Sequence, residues 1–193
     1  MTIPFWFKLA YTGVTLVILV VWLRHYGPRN LLWFSDIALL GAVPALWLES
    51  ALLASVLTVA TLLPELLWNV DFALRLALRR RVTGLTEYMF ERERPLRLRL
   101  LSLFHVPLPA VLLWMVGAYG YDPRGLAGAL LLAAVVLPAS RVAGSPRENI
   151  NWSHGLGGRP SAWPAVPYLA LLWAGFALLV FLPTHGLLLR WPS

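Results

Sequence analysis

Long apolar runs alternate with short polar stretches along this chain, and the run lengths decide what they are. About 20 consecutive apolar residues cross the ~30 Å of a bilayer's hydrocarbon as an α-helix. Runs of that size occupy 4–23, 31–48, 51–74, 98–119, 126–143 and 166–189. The pattern predicts an all-α polytopic bundle of six transmembrane helices forming one domain over 1–193. The first run could be a signal peptide, but it begins weakly basic and is followed by WLRHYGPRN, which lacks a small-residue cleavage pattern, so it is read as a span. Trp22, Trp33, Trp47, Trp114, Tyr119, Tyr121, Trp163 and Trp191 fall near the predicted ends, where amphipathic rings favour the interface.

Composition agrees with lipid as the solvent. Of 193 residues, 59% are hydrophobic and 13% charged, and the mean hydropathy is +0.70. One small soluble core cannot enclose that much apolar surface. The net charge of +7 would suggest nucleic acid in a soluble protein. Here the basic residues sit beside hydrophobic runs, so anionic lipid headgroups, and not nucleic acid, are the expected partner. All but Lys8, Arg124 and Arg190 of the 16 Lys and Arg lie in the first, third and fifth connections. The positive-inside bias then places those connections in the cytoplasm and both termini outside. The third, RRRVTGLTEYMFERERPLRLR, reads as a partly helical interfacial segment that holds headgroups. With no cysteine there is neither a disulfide nor a thiolate nucleophile.

The polar residues within the runs crowd toward the cytoplasmic ends. Ser35 and Asp36 lie early in the second, Glu65, Asn69 and Asp71 late in the third, Ser102 and His105 early in the fourth, and Ser140 and Arg141 end the fifth. An ionisable group in hydrocarbon costs a few kcal/mol or more, so such groups face partners or a wet cavity. Glu65 and Asn69 are four apart and share a helix face, whereas Asp71 points elsewhere and should pair with Arg75 at i+4. For Asp36 the structural expectation is an ion pair with His25, Arg29 or Arg141; the functional one is a general base or substrate anchor. Pro107 and Pro109 lack amide hydrogens, which frees the carbonyls of Leu103 and His105 and predicts a kink beside His105. His105 could then serve a ligand, or bond Glu65 or Asp36 merely to join helices.

The connection GSPRENINWSHG, 144–155, mixes donors, acceptors and a proton carrier. Asn149, Asn151 and His154 could close over the polar cluster as a lid, with Gly155, Gly157 and Gly158 making the turns; a plain solvated connector would use the same turn residues. Zinc chemistry would need His105, His154 and Glu65 or Asp36 from distant segments, and HExxH, GxSxG and glycine-rich phosphate loops are missing. No metal or cofactor is expected.

The six spans, FSDIALL in the second, His105 in the fourth and ENINW before the last resemble the YwaF-like bacterial membrane proteins. Through them the chain is similar to the androgen-induced-gene-type membrane hydrolases and acyltransferases. The chain also resembles bacterial multispan proteins to which no activity is attached. The resemblance implies lipid ester or acyl chemistry in a bacterial inner membrane, with His105 as the catalytic histidine. This chain departs from the family in having no threonine nucleophile in the second span, where Ser35 is the only substitute. The residues by themselves admit two readings. One is an intramembrane enzyme in which His105 is the acid or base, Asp36 or Glu65 orients it, Asn149 or Asn151 stabilises an oxyanion, and Ser35, Asn69, Arg141 and His154 bind substrate. The other is a solute or proton-coupled transporter using the same groups. Either could assemble as a homo-oligomer.

Overall fold

The computed structural model describes residues 2–156 and 159–190, so Gly157, Gly158 and Trp191 lie outside the described residues. Helices α1 (Phe5–His25), α2 (Phe34–Trp47), α3 (Ala51–Leu78), α4 (Leu96–Leu101), α5 (Leu108–Tyr119), α6 (Gly125–Ala143), α7 (Ala165–Phe176) and α8 (Leu182–Leu188) carry the chain, with no strand among the described residues. A 3₁₀ turn at Ser102–His105 joins α4 to α5, and a π-helical turn at Ala177–Phe181 joins α7 to α8. Counted through those joints, five helical stretches among the described residues are long and apolar enough to cross a membrane. Large aliphatic side chains face outward along them, among them Val14, Leu131 and Leu179. Contiguous apolar surface of that kind is normal against lipid and a liability in water.

The second predicted span is shorter than expected. Its helix holds 14 residues, or about 21 Å at 1.5 Å per residue. The residues before it form a separate 3₁₀ turn, Pro28–Leu32, entered through the left-handed Gly27 at φ 78°. Trp33, extended at φ −60° and ψ 135°, separates that turn from α2.

Helix α3 is the axis of the bundle, packed against α2, α5 and α6. Its start is capped by Ser50, whose Oγ accepts from the Leu53 amide at 3.2 Å. Small residues set the close approaches: Ala38, Ala42 and Ala45 of α2, Ala54 and Ala60 of α3, and Ala129 and Ala133 of α6 are completely enclosed. At Gly125, where α6 begins, a Cβ would sit 2.7 Å from Ser55 Cβ, so only glycine permits that crossing. Trp22 is not an interfacial anchor. It is buried, edge-on to Phe104 at 5.4 Å, because α1 turns it toward the core, whereas Trp47 and Trp163 are exposed as expected near helix ends.

Asp71 corrects a second expectation. It makes no ion pair with Arg75. Its carboxylate accepts from the Thr83 amide (2.8 Å), the Thr86 amide (2.9 Å) and Thr86 Oγ1 (2.6 Å), while Arg75 lies over the Phe90 ring at 5.2 Å. Two amides and a hydroxyl of the returning loop satisfy the buried carboxylate more completely than one flexible arginine would. The loop is thereby pinned to the end of α3.

Candidate functional site

Glu65, Trp68 and Asn69 are spaced i, i+3 and i+4 on α3, so they share one face, and the break between α4 and α5 crosses that face. His105 occupies the break. Its Nδ1 is 2.8 Å from Glu65 Oε2, with both side chains nearly excluded from solvent. A neutral imidazole meeting a carboxylate donates from Nδ1, which leaves the lone pair on Nε2. The ring is held flat between Trp68 (centroids 4.5 Å, planes 18° apart) and Phe104 (4.1 Å, 29°). Asn69 Nδ2 donates to the carbonyl of Glu65 and to that of His105, each at 2.8 Å. The His105 carbonyl, which Pro109 cannot serve, is therefore satisfied from α3, and the Leu103 carbonyl accepts from Val106 N at 3.0 Å.

Tyr88, which periodicity did not single out, comes from the loop that Asp71 pins. Burial pushes its hydroxyl pKa up, the nearby Ser102 and Trp68 side chains pull it back, and the negative charges of Glu65 and Asp36 add to the rise. Both carboxylates therefore lie within electrostatic reach of one hydroxyl. Trp68 Nε1 is completely enclosed and has no partner of hydrogen-bond geometry, although the Tyr88 hydroxyl lies beside it. Arg94 covers the other end of the loop. Its guanidinium lies over the rings of Tyr88 (5.2 Å) and Tyr26 (5.8 Å) and reaches Tyr26 Oη at 3.1 Å.

Asp36 is buried but takes none of the three basic partners expected for it. Its Oδ2 accepts from Asn30 Nδ2 at 3.0 Å. His25 is occupied with Val21 O and Arg97, Arg29 pairs with Glu148 at 3.0 Å, and Arg141 Nη1 donates to Ser153 O at 2.6 Å. The 3₁₀ turn ahead of α2 carries Asn30 back over the carboxylate, so a neutral donor reaches it first. Ser35 is half-buried at the start of the same helix.

The 144–155 connection is a folded plug bound to the bundle. Asn151, fully buried, accepts from the Phe34 amide (3.2 Å) and donates to Leu32 O (2.7 Å) and Ser140 Oγ (3.0 Å), joining the start of α2 to the end of α6. Asn149 accepts from His154 N and donates to Gly155 O within its own turn. Asn151 thus spends both of its amide hydrogens on structure, and Asn149 spends one of its two. Asn149, Asn151 and Trp152 all adopt left-handed backbone, which asparagine tolerates and tryptophan resists; Tyr168 Oη holds the Trp152 carbonyl at 2.7 Å. Gly155 is required because a Cβ there would collide with the Arg159 carbonyl. His154 Nε2 is enclosed and unbonded.

The structure thus brings Glu65, Asn69 and His105 into one constellation with Asp36 in its electrostatic neighbourhood. Arg141, Asn149, Asn151 and His154 form a second one that shapes the plug. Among the described residues no group of His, Asp and Glu is arranged to hold a metal ion. Comparison with known proteins finds no matching family model, no matching curated protein and no matching solved structure. The functional reading therefore rests on geometry.

Proposed function

We propose that this chain is a six-span membrane protein of a bacterial inner membrane, with both termini outside, that hydrolyses or transfers the acyl group of a lipid ester at the cytoplasmic leaflet. The observation that carries the reading is the enclosed Glu65 and His105 pair, which is oriented by a carboxylate, clamped between two aromatic planes, and has its Nε2 lone pair unspent. A carboxylate that fixes the tautomer and steadies the imidazolium is the arrangement needed for general acid and base work. Asn69 positions the helix break that carries the histidine. The likeness to the YwaF-like and androgen-induced-gene-type proteins points to the same chemistry. Among the described residues no serine bonds the dyad, so His105 acts on water or on an acceptor hydroxyl. The basic third connection holds anionic headgroups around the site.

A transporter reading draws on the buried Ser55, Thr58 and Thr61, which continue along α3 from Glu65. Thr58 and Thr61 donate to carbonyls of their own helix at 2.7 Å, which disfavours a proton path through them. The test is turnover by purified protein in lipid nanodiscs supplied with glycerolipid esters, with His105→Ala expected to abolish it without unfolding the bundle. Retained turnover in that variant overturns the assignment, and pH-dependent solute uptake into proteoliposomes that requires Asp36 favours transport.

A further inference from the structure

Beyond Asp122 the chain carries one acid, Glu148, alongside Arg124, Arg141, Arg147, Arg159 and Arg190. That acid is already engaged: Oε1 lies 3.0 Å from Arg29 Nε, and Oε2 accepts from Ser145 Oγ at 3.0 Å. Between α6 and α7 no carboxylate is left for Arg141 or Arg159, and among the described residues neither makes an ion pair. Where this connection turns into α7 there is an open cleft of about 300 Å³. Its polar lining is Arg159, Ser161 and Tyr168, and its apolar lining includes Leu156, Trp163 and Leu171. The wall is held in place, since Ser161 N donates to His154 O at 2.7 Å and the buried Tyr168 donates its hydroxyl to Trp152 O at 2.7 Å. Ser161 Oγ accepts from Trp163 N at 3.1 Å, which leaves its own hydrogen to give. Arg141 lies over the Tyr168 ring, 6.0 Å from its centroid, and adds a second positive charge near the cleft. Leu156, Trp163 and Leu171 are exposed, and further along the same helical stretch Leu178 and Leu182 also face outward.

We infer that this cleft binds one anionic phospholipid, with its phosphate on the Arg159 guanidinium and the Ser161 hydroxyl, its glycerol against Trp163, and an acyl chain along Leu171. The inference rests on the membrane placement proposed above and not on the acyl chemistry. The planar fork of a guanidinium matches two oxygens of a phosphate, and no carboxylate lines the cleft to repel one. A zwitterionic lipid brings the same phosphate, but its quaternary ammonium would enter the field of Arg159 and Arg141, so a net negative headgroup is preferred. A soluble phosphate could take the arginine but would leave the apolar lining wet. An acyl chain covers it and continues onto the outward face of the helix. The site is separate from the arginine-rich third connection, and its wall is built partly from the plug.

The test uses the full chain in phosphatidylcholine nanodiscs doped with a phosphatidylglycerol or a phosphatidylcholine probe. Each probe carries a photoactivatable diazirine near its glycerol, and crosslinks are mapped by peptide mass spectrometry. The phosphatidylglycerol probe should label 156–171 about ten times more than the phosphatidylcholine probe. Arg159→Gln should abolish that preference, as expected for loss of one charge-assisted contact. Arg159→Lys, which keeps the charge without the fork, should retain part of it. Arg159 is exposed, so the glutamine variant should fold; unaltered labelling of the outward faces around Val14 and Leu131 checks this in the same sample. Equal labelling by both probes, or a preference that survives Arg159→Gln, overturns the proposal. Inorganic phosphate that displaces the label at the probe's own concentration would assign the cleft to a soluble anion and overturn it too. Label around Val14 and Leu131 with none in 156–171 refutes this site alone, whereas no label at any of them removes the membrane placement with it. Turnover and His105 enter none of these readings, so failure of the acyl assignment leaves them standing.

Discussion

Replacing Asp71 by alanine tests whether one carboxylate really holds the loop over the site. Asp71 accepts three hydrogen bonds, one from Thr83 and two from Thr86. Thr83 is exposed, so its amide can return to water at little cost; Thr86 is 1% exposed, so its amide and hydroxyl would lose an ionic acceptor inside the protein. At about 1.5 kcal/mol for each bond to a charged acceptor, the two Thr86 bonds amount to about 3 kcal/mol of local stability. At about 1.4 kcal/mol per decade, the loop's opening equilibrium should shift by about 10²-fold. Amide hydrogen exchange in nanodiscs reads this directly. The Thr86 amide should exchange about 100 times faster in Asp71→Ala, Thr83 much less so, and Val59 and Ala60 at the buried centre of α3 should not change. Unaltered exchange at Thr86 would refute the reasoning. A uniform loss of protection across the chain would also refute it, by showing that Asp71 serves global stability and not the loop.

Other outcomes follow from the same geometry. Glu65→Gln keeps the shape beside His105 but removes the charge, so kcat should fall by roughly 10²-fold or more with the melting temperature nearly unchanged, checked by turnover and thermal unfolding in one preparation. Asn151→Ala strips partners from Phe34 N, Leu32 O and Ser140 Oγ and should cost roughly 3 kcal/mol at about 1 kcal/mol per bond, measured as a lower denaturant midpoint in detergent. Burial, with Asp122 nearby, pushes the Tyr121 hydroxyl up from 10.0 to about 12. The folded state holds that proton more tightly, so its stabilisation is complete below pH 10 and is lost as pH rises toward 12; the alkaline limb of the unfolding profile should flatten in Tyr121→Phe. Because the chain has no native cysteine, Arg124→Cys and Arg80→Cys each carry a single thiol. An impermeant maleimide added to intact cells should label the first and not the second, and the reverse result would invert the topology.

Much of the helical layout was legible because it follows from run length and proline chemistry. The break at His105 could be read from Pro107 and Pro109, and the shared face of Glu65 and Asn69 from their spacing. Partner choice could not be read that way. Asp71 and Asp36 both had arginines or a histidine in plausible reach, yet amides and hydroxyls brought by loop folding satisfied them. Hydropathy carries no information on which backbone group arrives first. Asn149 and Asn151 read as ligand donors because their residue type suits binding and turn-making equally, and the turn-making use shows in the left-handed backbone of Asn149, Asn151 and Trp152. Tyr88 left no periodic signal at all. Its place depends on the Asp71 tether, a contact between residues 15 and 12 positions apart in sequence.

The shortness of α2 has a consequence for how its flank is filled. A rod of about 21 Å among neighbours built for a slab of ~30 Å leaves about 9 Å of depth to irregular chain. That depth is occupied by the Pro28–Leu32 turn and the 149–153 segment, tied together through Asn151. Non-helical backbone survives at such a level only where protein encloses it or water wets it. Asn151 is 1% exposed, so here it is protein that encloses the irregular backbone: the length α2 lacks is made up by packed chain from two segments far apart in sequence, held by the three bonds of one amide.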